Sequence, residues 1–381
     1  MTEPQAEWIE RNAEAIAARA PRELEALVAV SSPSGDVHGA EEAAAVAAAL
    51  APDEADVERI ACSSPDHAPD LLIRVRGSGQ RRLLLLGHLD TVVSHADHRP
   101  LRREADRLVG SGTIDMKGGD VLALGVLRAL AQRQEDFAEA SLLFVHDEEW
   151  RIGGFAHVPR FHGFDACLCF EGGQHADAGE DAVIVKRKAA ATVEVTASGR
   201  SAHSGSAPDR GINALLALAD TARRVAACHD PRGPDRLTVV PTVMRSGDAF
   251  NVVPDRGELI FDVRADTERA FERVVGAVPE DVGGATLQAQ LMRVWPGMDS
   301  REATAGLLER AGAVIGRPIV AAARGGASDA SHFAPSIPLT VDGLGPLGGG
   351  AHAAHEFVLA SGFKPRAEVA LAIADAVLSA A

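Results

Sequence analysis

The chain has 381 residues, 46% apolar and 24% charged, with a formal net charge of −16. That length allows two domains with buried cores, and the acidic balance leaves no basic footprint for a nucleic-acid partner. No apolar run approaches the ~20 residues of a membrane span, the first twenty residues lack a basic segment followed by an apolar one, and four cysteines make no disulfide framework in so long a chain. A cytoplasmic protein with no membrane partner is expected.

Residues 5–29 carry Trp8, Ile9, Ile16, Leu24, Leu27 and Val28 at helical spacing, with a break expected at Pro21. A turn at 31–35 (SSPSG) precedes an Ala-rich helix at 41–50. Residues 70–76 alternate as a strand, and the continuous apolar run 83–86 suits a strand covered on both faces. A helix with an acidic start spans 115–133. Two more buried strands, 141–145 and 166–170, each end on acidic residues, and Cys167 and Cys169 read as small apolar residues of the second. Helices alternating with buried strands predict an α/β sheet that binds its ligand beyond the carboxyl ends of the strands.

The pattern changes after Val185. ATVEVTASG alternates strictly, a loop and helix follow, then the alternating strands LTVVPTVMRSG and GELIFDVRAD, a helix at 267–278 and the strand TLQAQLMRV. This is a compact β-α-β-β-α-β unit of roughly 110 residues. From Val294 the α/β pattern resumes with a helix at 302–315, the GGASDASHFA turn, a strand at 337–341, a Gly-rich loop and a closing helix at 362–380. The expected organisation is a catalytic domain built from 1–187 and 295–381, interrupted by a smaller domain at 188–294.

Chemistry-bearing residues gather at the strand ends. His88 and Asp90 lie two apart, so the carboxylate can receive one imidazole N–H while the other nitrogen binds a metal. Asp115 either bridges two cations or caps the helix that follows it. His146-Asp147-Glu148-Glu149 places three adjacent carboxylates at the sheet rim, where a cation would relieve their repulsion. In extended chain one glutamate can bind metal while its neighbour faces substrate. Glu171 repeats the arrangement after ACLCF. In GGGAHAAHEFV both His352 and His355 are available as ligands, with Glu356 next.

In order, GHLDTV, GSGTIDMKGG, DEE, FEGG, GRSAHSGSAPDRGINA, FNVVP, FDVR, GGASDASHFA and GGGAHAAHEFV resemble the dinuclear zinc aminoacylase and carboxypeptidase family. That family includes glutamate carboxypeptidases, acetylornithine deacetylase and succinyl-diaminopimelate desuccinylase; the glutamate carboxypeptidase branch is the nearest. The resemblance implies a zinc-exopeptidase-like three-layer α/β catalytic domain with an inserted ferredoxin-like α+β lid and dimerisation domain. It implies two zinc ions per subunit, with cobalt or manganese as alternatives. Asp115 would bridge them, His88 and Glu171 would complete one site, and Glu149 and His352 the other.

The resemblance further makes Glu148 the general acid/base for attack by a zinc-bound hydroxide on an amide carbonyl, with Asp90 orienting His88. It also implies a cis peptide bond after Asp115. His203 would steady the oxyanion, often from the partner subunit of a homodimer. Arg264 and Asn251 would hold the substrate's carboxylate or carbonyl, and the backbone from Gly326 to Ser328 would line the cleft. The substrate is then an N-acyl amino acid or short peptide with a free carboxylate. Other readings are a biosynthetic N-acyl-amino-acid deacylase and a catalytically silent metal-binding relative; a complete set of ligands with Glu148 argues against the last. Three positions depart from the family pattern: Trp150-Arg151, where relatives carry Gly at the second position and where one wall of the cleft would be reshaped; Ala189, in place of Gly after a basic pair; and His355, in place of Asn or Asp.

Overall fold

The computed structural model describes residues 4–177 and 179–379; the parts of the expected domains at 1–3, 178 and 380–381 lie outside that range. The chain falls into two compact units. One takes the chain up to Lys186 together with Asp299–Ala323 and everything from Ser328, and the other takes Arg187–Met298 with Arg324–Ala327.

The first unit is α/β, around a mixed six-stranded sheet. Its order is Asp56–Ile60, Asp70–Arg76, Phe137–Val145, Arg81–His88, Ala166–Cys169, Leu339–Val341. The first two strands run antiparallel to their neighbours, and the last four are parallel to one another. The run 83–86 is buried on both sides. Leu83 and Leu85 join Leu71, Ile73, Leu142, Phe144 and Leu168 in the main core, while Leu84 and Leu86 are equally buried outside that cluster. Covering both faces is what lets a parallel strand be apolar at every position. Helices Gln5–Val28, Gly118–Leu130 and Phe363–Leu378 pack together in the main core. The short helix Ala330–Phe333 lies against Ala166–Cys169 and Leu339–Val341.

Two local expectations are corrected. The first helix runs unbroken from Gln5 to Val28 through Pro21, because burial of Ala20, Leu24, Leu27 and Val28 outweighs one lost backbone hydrogen bond. The helix expected from 115 begins instead at Gly118. Asp115 (φ −131°, ψ 88°) and Met116 (φ −131°, ψ 28°) are non-helical, and the peptide bond between them is cis. Asp115 is therefore no helix cap. Strands Asp181–Arg187 and Ile319–Arg324 and the hairpin Arg102–Glu104/Arg107–Val109 carry no clear period-two pattern in the sequence, and were not expected.

The second unit is an antiparallel sheet ordered Thr238–Ser246, Arg256–Ala265, Ala189–Ser198, Ala285–Trp295, Asp281–Val282, with helices Ala214–Ala226 and Ala270–Val275. The first four strands and two helices follow in the order β-α-β-β-α-β, the expected ferredoxin-like topology. Every second residue of Ala189–Ser198 is buried, and Val193, Val195, Phe261, Val263, Leu218 and Phe271 form a separate core. Strict alternation in the sequence is the signature of this one-sided burial.

Asp70, at the start of its strand, ties the first sheet to the turn beyond Val145. Its fully buried carboxylate accepts the His146 N–H at 2.9 Å and meets His157 Nε2 at 2.7 Å and His146 Nδ1 at 3.3 Å. Burial pushes its pKa up, but the hydrogen bonds from His146 and His157 prevail and hold it below the ordinary value. A depressed folded-state pKa stabilises above the unfolded value of ~3.9 and is lost as pH falls through the folded one. Asp70→Asn is therefore expected to cost about 1–3 kcal/mol at pH 7 and to flatten the acid limb of the stability curve below about pH 4. Urea unfolding across that range measures both, and an unchanged acid limb would refute the assignment.

Candidate metal centre

The parallel register brings three strand ends to one edge: His88 stands opposite Val145, and Leu86 opposite Cys169. His88, the turn 146–149 and Glu171 therefore arrive side by side, although 83 residues separate the first from the last in the numbering. Asp115 comes from the irregular segment Thr113–Lys117, and His352 from the loop after Gly348–Gly349, with a left-handed φ of 63° that is uncommon for a residue with a Cβ.

The two oxygens of Asp115 face opposite partners. Oδ1 lies 3.2 Å from His88 Nε2, and Oδ2 lies 3.1 Å from His352 Nε2. His88 Nε2 is also 3.8 Å from Glu171 Oε1, and His352 Nε2 is 3.2 Å from Glu149 Oε1. Asp115 is thus shared between a His88–Glu171 half and a His352–Glu149 half. The imidazole that meets these carboxylates is that of His352; His355 is exposed three residues on. The donor set fits a pair of divalent ions. Imidazole and carboxylate are zinc ligands, and two ligand atoms at ~2.1 Å from one tetrahedral ion stand roughly 3.4 Å apart, close to the separations seen. Ligand atoms of His88, Asp115 and Glu149 lie within 4.8 Å of one another.

The electrostatics agree. Burial pushes the Asp115 carboxyl up, but hydrogen bonds from His352 and then His88 hold it well below the usual range. Hydrogen bonds to Asp115 and Glu149 raise the His352 imidazole to about 10. Glu148 is different. Burial first, and then the nearby carboxylates Glu171, Asp329 and Glu149, push it far up despite the opposing pull of His88. No hydrogen bond reaches its side chain among the described residues. A carboxyl group that holds its proton more tightly than usual beside candidate metal ligands is suited to proton transfer.

Asp90 has more partners than the sequence suggested. His88 Nδ1 is nearest the Asp90 backbone oxygen, at 3.1 Å, with the carboxylate at 3.4 Å. The Asp90 carboxylate accepts the N–H groups of Glu148 at 3.3 Å and Glu149 at 3.2 Å. Asp90 thus orients His88 chiefly through its backbone oxygen and holds the turn carrying Glu148 through its carboxylate. Glu356, noted only as the neighbour of His355, is the residue that sequence reasoning missed. It is buried and accepts N–H groups from Gly112 (2.9 Å), Ile114 (2.8 Å) and Asp115 (3.0 Å), binding the Asp115 segment to the His352 loop. Its partners lie more than 240 residues away in sequence, so only its acidic character just before the apolar run 357–359 hinted at it.

The remaining candidates are less uniform. Ser328 is buried and its hydroxyl donates to Asp342 at 2.6 Å. In the second unit, His203 pairs with Val252, and the Asn251 oxygen accepts the Ser204 N–H. His203 Nδ1 accepts N–H groups from Gly205 (3.1 Å) and Ser206 (3.2 Å), which assigns the proton of the neutral ring to the exposed Nε2. Arg264 is forked onto Asp262 at 3.0 and 3.2 Å and donates NH1 to Gly325 at 3.3 Å, beside Gly326. Of the departing residues, Trp150 is 62% exposed whereas Arg151 is fully buried and lines no open wall.

Residues 84–376 match the model of peptidase family M20/M25/M40. Carboxypeptidase G2 of Pseudomonas sp. strain RS-16 is 27% identical over 296 residues, 73% of this chain and 69% of that protein. The succinyl-diaminopimelate desuccinylase of Corynebacterium glutamicum is 29% identical over 305 residues, 72% of this chain and 76% of that protein. Among solved structures, the YXEP protein of Bacillus subtilis, described as a dinuclear metal binding peptidase, superposes with a TM-score of 0.68 at 15% identity, over 95% of this chain and 99% of that one.

Proposed function

Because this chain belongs to peptidase family M20/M25/M40 and is thereby a metal-dependent hydrolase, we propose that it cleaves the amide bond next to an amino acid with a free carboxylate, as a glutamate carboxypeptidase-like exopeptidase. The observation that carries the reading is Asp115, with one oxygen toward His88 and the other toward His352, beside Glu148, whose carboxyl group takes no hydrogen bond among the described residues. We infer two zinc ions, one held by His88, Asp115 and Glu171 and the other by His352, Asp115 and Glu149; cobalt or manganese suits the same donors. Such a pair, when bound, supplies a nucleophile from water near neutral pH and polarises the amide carbonyl.

The chain's own residues do the rest. Glu148 takes the proton of the attacking water and passes it to the leaving nitrogen. Asp90 keeps that carboxyl and His88 in register. His203, with its proton on Nε2, is a donor for the developing oxyanion. Arg264 and Asn251 hold the substrate's carboxylate or carbonyl, Arg264 exchanging its Asp262 partner for the substrate, and Gly326 and Ser328 offer it backbone groups.

Deacylation of a small N-acyl amino acid is the second reading, supported by the 29% identity to a desuccinylase over 305 residues. Hydrolysis of a panel of N-acyl amino acids and dipeptides by the zinc-loaded protein separates the two by preferred acyl group. Turnover of no member would leave a silent metal-binding protein.

Homodimerisation through the second unit is part of the proposal. Thr238–Ser246 is the end strand of its sheet, with Val240 and Met244 exposed, and the adjacent helix Ala214–Ala226 exposes Leu215 and Leu216. An unprotected apolar edge of this kind invites a second strand. Light scattering should return twice the chain mass, and a single-chain mass would remove this element. The four cysteines are free thiols, which suits the reducing cytoplasm we assign, and no helix among the described residues is long and apolar enough to cross a membrane.

A further inference from the structure

Arg151 stands where the family pattern places glycine, two residues after Glu149, and the hydrolytic reading above does not use it. Its guanidinium is fully buried. Nε and one terminal nitrogen donate to Asp147 Oδ1 at 3.1 and 2.6 Å. That terminal nitrogen also donates to Asp329 Oδ2 at 3.0 Å, and the other to Asp329 Oδ1. The ring of Phe155 lies 4.3 Å from the guanidinium carbon. The second oxygen of Asp147 accepts the backbone N–H and hydroxyl of Ser64, at 3.0 and 2.7 Å. One buried cation therefore joins the turn 147–151, the loop at Ser64 and the residue that leads into helix Ala330–Phe333.

The arms of this fork close a ring from Asp147 to Arg151, and the two residues inside it next to Asp147 are Glu148 and Glu149. Their backbone N–H groups are held from the other direction by the Asp90 carboxylate. Asp90 fixes two N–H groups through bonds of 3.2–3.3 Å, and such a turn can still pivot about them. The fork removes that pivot, because a planar guanidinium that satisfies two carboxylates has essentially one orientation.

We propose that Arg151 is a positioning residue, which holds Glu148 at its proton-transfer position and Glu149 at its metal position by locking the turn between them and the loop at Asp329. The proposal rests on the hydrolytic reading of the site for its effect on turnover, but not for its effect on metal binding. A shift of about 1 Å in a catalytic group can cost roughly 100-fold in rate, and loss of a residue that orients a metal ligand weakens the metal by about 10- to 100-fold.

The test is Arg151→Lys, which keeps the buried positive charge but cannot fork onto two carboxylates. In the zinc-loaded variant kcat is expected to fall about 10- to 100-fold, with KM within about threefold of the parent protein. The weaker of the two zinc equivalents, measured by competition with a chelator and without substrate, should dissociate at about tenfold higher free zinc. A folded Arg151→Lys protein with parental kcat and zinc affinity would overturn the proposal, as would a rise in KM at unchanged kcat. If that variant does not fold, Asp329→Asn, which leaves the Asp147 arm, must show the same pattern more weakly; parity with the parent there also overturns it. If the parent turns over no substrate, the hydrolytic reading fails, and the zinc competition alone decides. A tenfold weaker second equivalent then supports the positioning role, and an unchanged one sinks it.

Discussion

Glu148→Ala lowers kcat by about 10²–10⁴ while the protein keeps its fold and two metal equivalents. The size follows from what the side chain does. General acid/base transfer contributes that range, and the neighbouring carboxyl groups are otherwise placed: Asp115, Glu149 and Glu171 face histidines, Asp90 accepts two backbone N–H groups, and Asp120 is fully buried, out of reach of a substrate. The stability consequence has the opposite sign. The Glu148 carboxyl takes no hydrogen bond among the described residues and is pushed far up in pKa by burial, so its removal leaves no donor orphaned and relieves a desolvated group. A melting temperature equal to or above that of the parent is therefore expected together with the loss of turnover, the trade between activity and stability common at active sites. Single-turnover rates, zinc content and thermal melts together check this. Undiminished kcat in a two-zinc Glu148→Ala protein would eliminate Glu148 as the base, whatever the reaction.

Asp115→Ala is expected to abolish turnover by removing the metals. Each of its oxygens serves a different histidine, so the substitution strips a donor from both halves at once. In metal-free protein it also leaves His88 with Glu171 at 3.8 Å as its nearest remaining acidic partner toward the metals. Zinc content should fall from two equivalents to less than one at micromolar free zinc, with kcat down by more than about 10³. His352→Ala should lose chiefly the half shared with Glu149. His355→Ala is the control: an exposed ring three residues on should leave zinc content and kcat within about twofold, as surface substitutions usually do. A two-zinc Asp115→Ala protein, or a His355→Ala protein that loses zinc while His352→Ala retains it, would refute the ligand assignment.

Much of this is legible in the sequence. The apolar run 83–86 and the strands 141–145 and 166–170 could be read because burial on both faces demands an apolar residue at every position. The alternation of 189–198 could be read because one-sided burial demands period two. Acidic or histidine residues at three strand ends then implied convergence, since parallel strands deliver their carboxyl ends to one edge.

What stayed hidden depends on partners far away in sequence. Periodicity and propensity act over about one helical turn or one pleat, and could place Asp115 only beside a helix start, as bridge or cap. The resemblance makes it the bridge, and in the structure its two oxygens face two histidines, 27 residues before it and 237 after it, on a backbone segment held by Glu356. His352 and His355 are equivalent by spacing; the resemblance names His352, and the turn of the loop brings its imidazole to Asp115 and Glu149. Arg151 shows the limit most plainly: as a sequence symbol it was a charged residue on a cleft wall, and only the tertiary fold sets it in the interior between Asp147 and Asp329. A buried charge is tolerated only where partners converge on it, and convergence is a property of the packed chain. The sequence by itself determined the class of chemistry and the strand ends that carry it; the tertiary structure decided which carboxylate lies between two histidines, which of two neighbouring histidines reaches Asp115 and Glu149, and where the buried Arg151 finds its partners.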